Sequence, residues 1–178
     1  MKKIKKNYIN NKDLLQALID YKGVCFEAEE GGEIKPIVPD YIAVSILTIA
    51  KRLSTKPNFY NYPFREDMIM DGVENCLLYM HNFDENKYNN PFAYFTTIIW
   101  QAFIRRITKE KKQLYIRYKN SQSAIASGGT YVGDSNIHLT SDADYINSFI
   151  EDFEEKMAKD KEKKNAPRDN WRLHKKSE

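Results

Sequence analysis

The sequence contains little of what stabilises small secreted or metal-binding proteins. It has only two cysteines, Cys25 and Cys76, which are far apart and not in a CxxC spacing. A disulfide framework or a zinc site is therefore not expected, and a reducing cytoplasm suits the chain. The three histidines, His81, His138 and His174, have no metal-ligand partner at helical spacing. No metal and no cofactor is predicted.

Glycine and proline are also scarce, with seven and six residues among 178. This argues against a turn-rich β-sandwich and against a wholly disordered chain. The longest apolar run, residues 41–50, is too short to span a bilayer, and the basic N-terminus lacks the apolar segment of a signal peptide. The chain has no GxxxxGK[ST], GxGxxG or GxSxG motif. We therefore expect a non-enzymatic intracellular protein.

Aromatic residues, in contrast, are abundant at 13%, and charged residues make up 30% with a net charge of only +3. The small net charge conceals a segregation of the two signs along the chain. Residues 101–119 contain seven bases and one acid, which gives +6, whereas residues 142–155 contain six acids and no base. The distribution of charge therefore favours nucleic-acid binding, although the net charge does not.

Apolar residues recur at helical spacing in five segments, which predicts an all-α protein. The first helix covers residues 11–22 after a cap at Asn10 or Asn11, and residues 23–39 are predicted to form a loop. The second helix begins at Asp40 as its N-cap, and the third begins after Pro63. The predicted core stripes of the second and third helices are Ile42, Ile46, Ile49 and Leu53, then Ile69, Val73, Cys76, Leu77 and Met80.

The fourth predicted helix begins with an Asn cap at Asn90 followed by Pro91, and it runs to about residue 113 or on to 118. A Ser/Gly-rich stretch follows and predicts a flexible linker. The fifth helix covers residues 141–164 and is acidic and amphipathic. The fourth helix has a predicted core stripe of Phe92, Phe95, Ile99, Ala102 or Phe103, and Ile107.

The fourth helix is aromatic in its first half and basic in its second half. Basic side chains on one helix face follow phosphates, and aromatic rings stack on unpaired bases with about 1–3 kcal/mol per base. Rings at helical spacing are more often core, and this interpretation suits Phe92, Phe95 and Phe103. Tyr94 and Trp100 lie off that stripe and are better candidates for contact with a ligand.

The run EDMIMDG, then HNFD, a short polar loop and PFAYFTTIIWQAF resembles conserved region 2 of the sigma-70 family of bacterial transcription initiation factors. The small size and the NNKDLLQALIDYK stretch point to the phage late-transcription sigma factors. The resemblance implies an all-α sigma region 2-like domain over residues 1–119. A flexible linker over 120–141 and a segment over 142–178, with an acidic helix and a basic tail, would follow.

The resemblance implies two binding surfaces. The acidic helix of the family docks on the clamp helices of the large subunit of core RNA polymerase, and Asp67, Met70, Asp71 and Glu74 match those positions. The following helix of the family recognises and melts an A·T-rich −10 promoter element. The matching and adjacent residues predicted to bind DNA are Tyr94, Thr97, Ile98, Trp100, Gln101, Arg105, Arg106, Lys109 and Lys112.

Two departures from the family pattern affect this interpretation. The Trp-Trp pair that wedges the promoter bubble is Thr97-Ile98 here, and Trp100 stands where the family often has Arg. The chain also shows no helix-turn-helix for a −35 element. Like the late phage factors, it would act in the cytoplasm of the infected bacterial host, associated with the nucleoid. Host core polymerase and promoter DNA are the expected partners, with a late co-activator and a sliding clamp as further candidates.

Two other functions remain open on the sequence. One is a protein-interaction module of the anti-sigma or appropriator type, which binds polymerase without touching DNA. The other is a helical single-strand-binding protein that acts without polymerase. An aromatic and basic helix face that is exposed would favour DNA contact over the first of these.

Overall fold

The computed structural model describes residues 8–126 and 143–165, and every regular element within them is helical. The all-α prediction is therefore confirmed. Residues 1–7 of the basic N-terminus and the predicted basic tail from residue 166 lie outside the described residues. The elements are α1 (Asn11–Glu30), α2 (Asp40–Ser54), α3 (Arg65–Tyr79), a short 3-10 helix (Met80–Asn82), α4 (Pro91–Ala126) and α5 (Ala143–Asn165).

The chain divides into two compact units, Met1–Lys109 and Glu110–Glu178. The division falls inside α4, whose first half belongs to the first unit and whose second half belongs to the second unit. Helix α4 is longer than predicted, so residues 120–126 of the predicted linker are helical. The rest of that linker, residues 127–141, is not among the described residues.

Helix α1 is also longer than the sequence predicts. Asn10 caps it, because its side chain accepts a hydrogen bond from the Lys12 amide at 3.1 Å. The helix does not stop at Gly23 but continues to Glu30, so the prediction of a loop over residues 23–30 is wrong. Ala28 is buried and Cys25 packs against the core, and these contacts offset the helix cost of Gly23, about 1 kcal/mol.

Helix α2 confirms its predicted core stripe. Its four predicted positions, Ile42, Ile46, Ile49 and Leu53, are all buried. The predicted N-cap is wrong, since Pro39 occupies the cap position and Asp40 lies in the first turn. A carboxylate there still complements the positive end of the helix dipole.

Helices α3 and α4 approach each other closely at Gly72. A Cβ atom on Gly72 would lie 3.0 Å from Ile99 Cγ2 and 3.2 Å from Phe103 Cε1, so a larger residue would push the helices apart. Cys76 on α3 and Met80, the first residue of the 3-10 helix, are buried as predicted, and burial raises the pKa of the Cys76 thiol to about 12. Leu77 is an exception, because it is exposed and does not belong to the core.

The N-terminus of α4 is tied to α1. Asn90 caps α4 as predicted, since its Oδ1 accepts a hydrogen bond from the Ala93 amide at 3.0 Å. Asn11 contributes a second tie, because its Oδ1 accepts from the Phe92 amide and its Nδ2 donates to the Asn89 carbonyl, both at 3.1 Å. These hydrogen bonds hold the first turn of α4 against α1, ahead of the exposed residues that follow along α4.

In the second unit, α5 packs on the second half of α4 through aromatic rings. Tyr115 stacks on Phe153 with ring centroids 4.7 Å apart, and Tyr118 meets Phe149 edge-to-face at 5.4 Å. Ile150 is buried in this contact region. The acidic amphipathic helix predicted from the sequence therefore has the middle of its apolar side covered by α4 within the second unit, whereas Tyr145 and Met157 are exposed.

Candidate nucleic-acid interface

The first half of α4 presents one face away from the core. Phe95, Ile99 and Phe103 are wholly buried, as the sequence predicts. The side chains on the opposite side are exposed and recur at helical spacing, which gives a polar surface with one apolar residue. We call this surface the outer face of α4; it comprises Thr97, Gln101, Ile104, Arg105 and Thr108.

Trp100 lies at the edge of this outer face. Its ring meets Phe59 edge-to-face with centroids 4.7 Å apart, yet 37% of the residue is exposed. Phe59 is buried and also packs on Phe103 at 5.1 Å, so the contact that holds Trp100 belongs to the core. A ring held in this way loses little freedom when a base stacks on its exposed part.

Tyr94 and Ile98 are less available than the sequence suggests. The Tyr94 ring packs on Phe83 at 5.2 Å and on Phe95 at 5.6 Å, and its hydroxyl donates to the Tyr79 carbonyl at 2.7 Å. Burial raises the pKa of the Tyr94 hydroxyl. Ile98 also packs against the core. Trp100 and Gln101 are therefore the better-placed contact residues of the predicted set.

The predicted basic residues divide into two groups. Arg105 and Lys109 are exposed, and Arg105 donates to Asn75 Oδ1 at 2.7 Å. Arg106 instead forms a bidentate ion pair with Asp71 on α3, at 2.7 and 3.0 Å, and its side chain is only 19% exposed. Arg106 therefore braces α3 against α4. Lys112 is exposed and lies in the second unit.

The exposed side of α3 carries the residues that were predicted to bind RNA polymerase. Asp67, Met70 and Glu74 are exposed, with Met70 at 62%, whereas Asp71 is half-buried in its pair with Arg106. Three further exposed apolar side chains follow on the last turn of α3 and were not predicted as part of the surface. We call the exposed set the α3 stripe; it comprises Asp67, Met70, Glu74, Leu77, Leu78 and Tyr79.

A groove on the first unit was not anticipated from the sequence. It has a volume of about 400 Å³, within the range of small-ligand pockets. Arg52 lies 4.2 Å above the Tyr8 ring, and Tyr8 meets Phe92 edge-to-face at 5.7 Å. Burial raises the pKa of the Tyr8 hydroxyl, and the charge of Arg52 opposes that rise. The groove is lined by Tyr8, Ile49, Arg52, Leu53, Thr55, Lys56, Phe92 and Thr96.

The groove combines basic and aromatic side chains, and none of its lining residues is acidic. Thr96 is one helical turn before Trp100, so the groove borders the same flank of α4. The sequence signal for it is the basic end of α2, where Arg52 and Lys56 follow the core stripe. This signal alone does not predict a groove, because Tyr8 comes to lie beside Arg52 only in the folded chain.

Comparison with models of known protein families and with curated protein sequences found no match. In the part of the chain that the structure describes, no group of three or more His, Cys, Asp or Glu side chains could hold a metal ion. No helix in that part is both long enough and apolar enough to cross a membrane.

Proposed function

We propose that the chain is a sigma-like transcription initiation factor. It binds host core RNA polymerase through the α3 stripe, and it recognises and helps to melt an A·T-rich −10-like late promoter element through the outer face of α4. One observation carries the proposal. One compact unit presents the acidic and apolar α3 stripe together with the polar outer face of α4, which has Trp100 at its edge and the exposed bases Arg105 and Lys109 along α4; the Asp71–Arg106 pair braces the two helices.

The outer face of α4 suits a melted promoter strand. Trp100 offers a fixed ring for stacking on an unpaired base, and the Gln101 amide suits the edge of an adenine. Arg105 and Lys109 lie further along α4, where they can contact phosphates. The basic and aromatic groove between Tyr8 and Thr96 provides further room for a displaced nucleotide on the same flank.

The α3 stripe suits a protein partner. It places Met70, Leu77 and Leu78 on the same helix as the exposed acids Asp67 and Glu74, so an apolar contact would be flanked by negative charge. Interfaces of this kind use the apolar centre for affinity and the charges for orientation. The basic clamp helices of the large polymerase subunit are the partner that the sequence resemblance implies.

The proposal is tested with purified host core enzyme and the full chain. Asp67→Lys combined with Glu74→Lys should abolish co-purification with core polymerase and run-off transcription from an A·T-rich −10 template. Asp71 is left intact, because its reversal would break the brace with Arg106. Glu29→Lys combined with Glu30→Lys on α1 has the same charge change at exposed positions and should bind normally. Unimpaired co-purification of the first variant rejects the docking surface.

The DNA surface is tested in the same transcription assay. Arg105→Ala combined with Lys109→Ala should leave co-purification intact and reduce run-off product. It should also lower the salt dependence of promoter binding by about 0.7–0.9 for each phosphate contact that the substitutions remove. Lys35→Ala combined with Lys87→Ala removes two exposed charges outside α4 and serves as the control. An equal reduction in both variants would remove the outer face of α4 from the proposal.

A second candidate function is a polymerase-interaction module that does not touch DNA. The several exposed apolar side chains of the α3 stripe favour it, because an apolar surface suits a protein partner and does not itself require a DNA interface. Photo-crosslinking from position 101 to promoter DNA in the polymerase complex separates the two functions. Crosslinks are expected for the sigma-like factor and none for the interaction module.

A further inference from the structure

Helix α5 covers part of the basic second half of α4, and the contact is electrostatic as well as aromatic. Glu154 on α5 accepts a hydrogen bond from the Tyr115 hydroxyl at 2.8 Å and pairs with Lys119 at 2.9 Å. Further along, Gln122 donates to Asn147 Oδ1 at 3.0 Å. The two helices therefore run antiparallel in this unit, with residues 147–154 against residues 115–122.

The two facing segments have opposite charge. The second half of α4 carries Lys111, Lys112, Arg117 and Lys119 with Glu110 as its only acid, so it has a net charge of +3. In α5, residues 144–155 carry five acids and no base. Glu154 raises the pKa of Lys119, and Lys119 in turn is the first cause that lowers the pKa of Glu154. Both groups therefore stay charged at neutral pH.

We infer that the second half of α4 is a phosphate-binding surface of its own, and that Glu154 of α5 competes with DNA for Lys119. The inference depends on the proposed function only in taking DNA as the polyanion. Lys119 and Arg117 are absent from the promoter-contact residues assigned above. Helix α5 thereby acts as an internal competitor that weakens contact with DNA of any sequence.

The strength of this competition follows from exposure. The side chains of Lys119 and Glu154 are 39% and 48% exposed, so their ion pair is a weak surface pair. A DNA phosphate gains counterion release when it meets a lysine, whereas Glu154 does not. DNA can therefore displace Glu154, and α5 reduces affinity without blocking the surface.

The experiment measures binding of the full chain to duplex DNA of non-promoter sequence, without polymerase, over a range of salt concentrations. Glu154→Gln should tighten binding about two- to fivefold at low salt, the range expected when one exposed ion pair is removed. It should also steepen the salt dependence by up to about 0.9, the value for one full phosphate contact, because Glu154 occupies Lys119 in part of the unsubstituted complexes. The introduced amide retains an acceptor for the Tyr115 hydroxyl, and circular dichroism checks that the helices persist.

Glu155→Gln is the matched control. Glu155 pairs with Lys159 on its own helix at 2.5 Å, so the substitution changes net charge equally without releasing a base of α4. Its effect on both affinity and salt dependence should be clearly smaller. In a Lys119→Gln background, Glu154→Gln should lose its effect, since no base remains to be released.

Equal effects of the two substitutions would overturn the inference, because net charge alone would then explain them. An unchanged affinity in Glu154→Gln, or no DNA binding in any variant at low salt, would overturn it as well. None of these outcomes bears on recruitment of polymerase. A failure of the proposed function, seen as normal co-purification of the α3 stripe variant, is therefore recorded separately.

Discussion

The two halves of α4 are held by different kinds of contact. The first half places Phe95, Ile99 and Phe103 in a fully buried core formed with α2 and α3. Among the described residues of its unit, the second half faces α5, and its stacked pair of Tyr115 and Phe153 is only partly buried. One continuous helix therefore carries a rigidly supported segment followed by a marginally supported one.

Under the proposed function, this difference bears on how each half would contact DNA. Recognition of base edges and stacking need side chains fixed to within a fraction of an ångström, and core packing of the first half provides this. Phosphate contact tolerates movement, because it depends mainly on charge. The rigid half suits recognition, and the marginal half suits adjustable affinity. Substitutions in each half can test that division.

The largest expected effect is on the core of the first half. Phe103→Ala removes a wholly buried ring that also packs on Phe59, and it should lower the free energy of unfolding of the first unit by about 3–5 kcal/mol. Urea unfolding with labelling of the buried Cys76 thiol reports on this unit. The neighbouring Ile104→Ala should cost under about 1 kcal/mol, because Ile104 is exposed. Similar losses in both variants would contradict the assignment of Phe103 to the core and of Ile104 to the exposed side of α4.

The next effect concerns the brace between α3 and α4. Arg106→Ala leaves Asp71, whose side chain is 31% exposed, without its bidentate partner. We expect a decrease in stability of about 2 kcal/mol, less than for a fully buried pair because water reaches the carboxylate. Arg105→Ala, which removes one exposed hydrogen bond to Asn75, should cost under about 1 kcal/mol.

A double-mutant cycle sharpens this test. Asp71→Asn should recover part of the stability that Arg106→Ala removes, since it eliminates the unpaired charge. Thermal unfolding of the four proteins provides the comparison. If Arg105→Ala is the more damaging change, Arg106 is not the brace, and it returns to the set of phosphate contacts.

The fold was predictable where periodicity alone decides burial. The stripe Ile42, Ile46 and Ile49 is buried as the 3.6-residue period requires, and the cap at Asn90 follows from its side chain and from Pro91. The end of α1 was not predictable, because Gly23 signals a break locally while tertiary contacts further on outweigh it. The end of α4 was also missed, because the contacts of its last turns with α5 form only in the folded chain.

The candidate site was predictable only in part. A helical wheel places Trp100 and Gln101 off the core stripe, and both side chains are exposed in the structure. The same wheel cannot distinguish Arg105 from Arg106, because the partner of Arg106 is on another helix. Phe59 and Tyr8 were missed as well, since each lies outside a periodic segment and acquires its neighbours only in the folded chain.

The smallest expected effect is the response of the second half to pH. Hydrogen bonds from Lys119 and Tyr115 hold the pKa of Glu154 below its ordinary value of 4.5. The contribution of this pair is therefore present above about pH 4.5 and is lost as the pH falls through the lowered pKa. At alkaline pH it is present below 10.5 and is lost as Lys119, whose pKa is raised, gives up its proton.

Ring resonances of Tyr115 and Phe153 in an NMR titration should follow the acidic step, whereas the alkaline step also contains the ionisation of Tyr115, whose pKa is raised by its hydrogen bond to Glu154. Glu154→Gln should remove the acidic step, whereas Glu155→Gln should retain it, because Glu155 pairs along its own helix with Lys159. Persistence of the acidic step in Glu154→Gln would mean that ring stacking alone holds α5 on α4. The two halves of α4 would then differ only in how many rings they bury, and the adjustable affinity assigned to the second half would have no titratable basis.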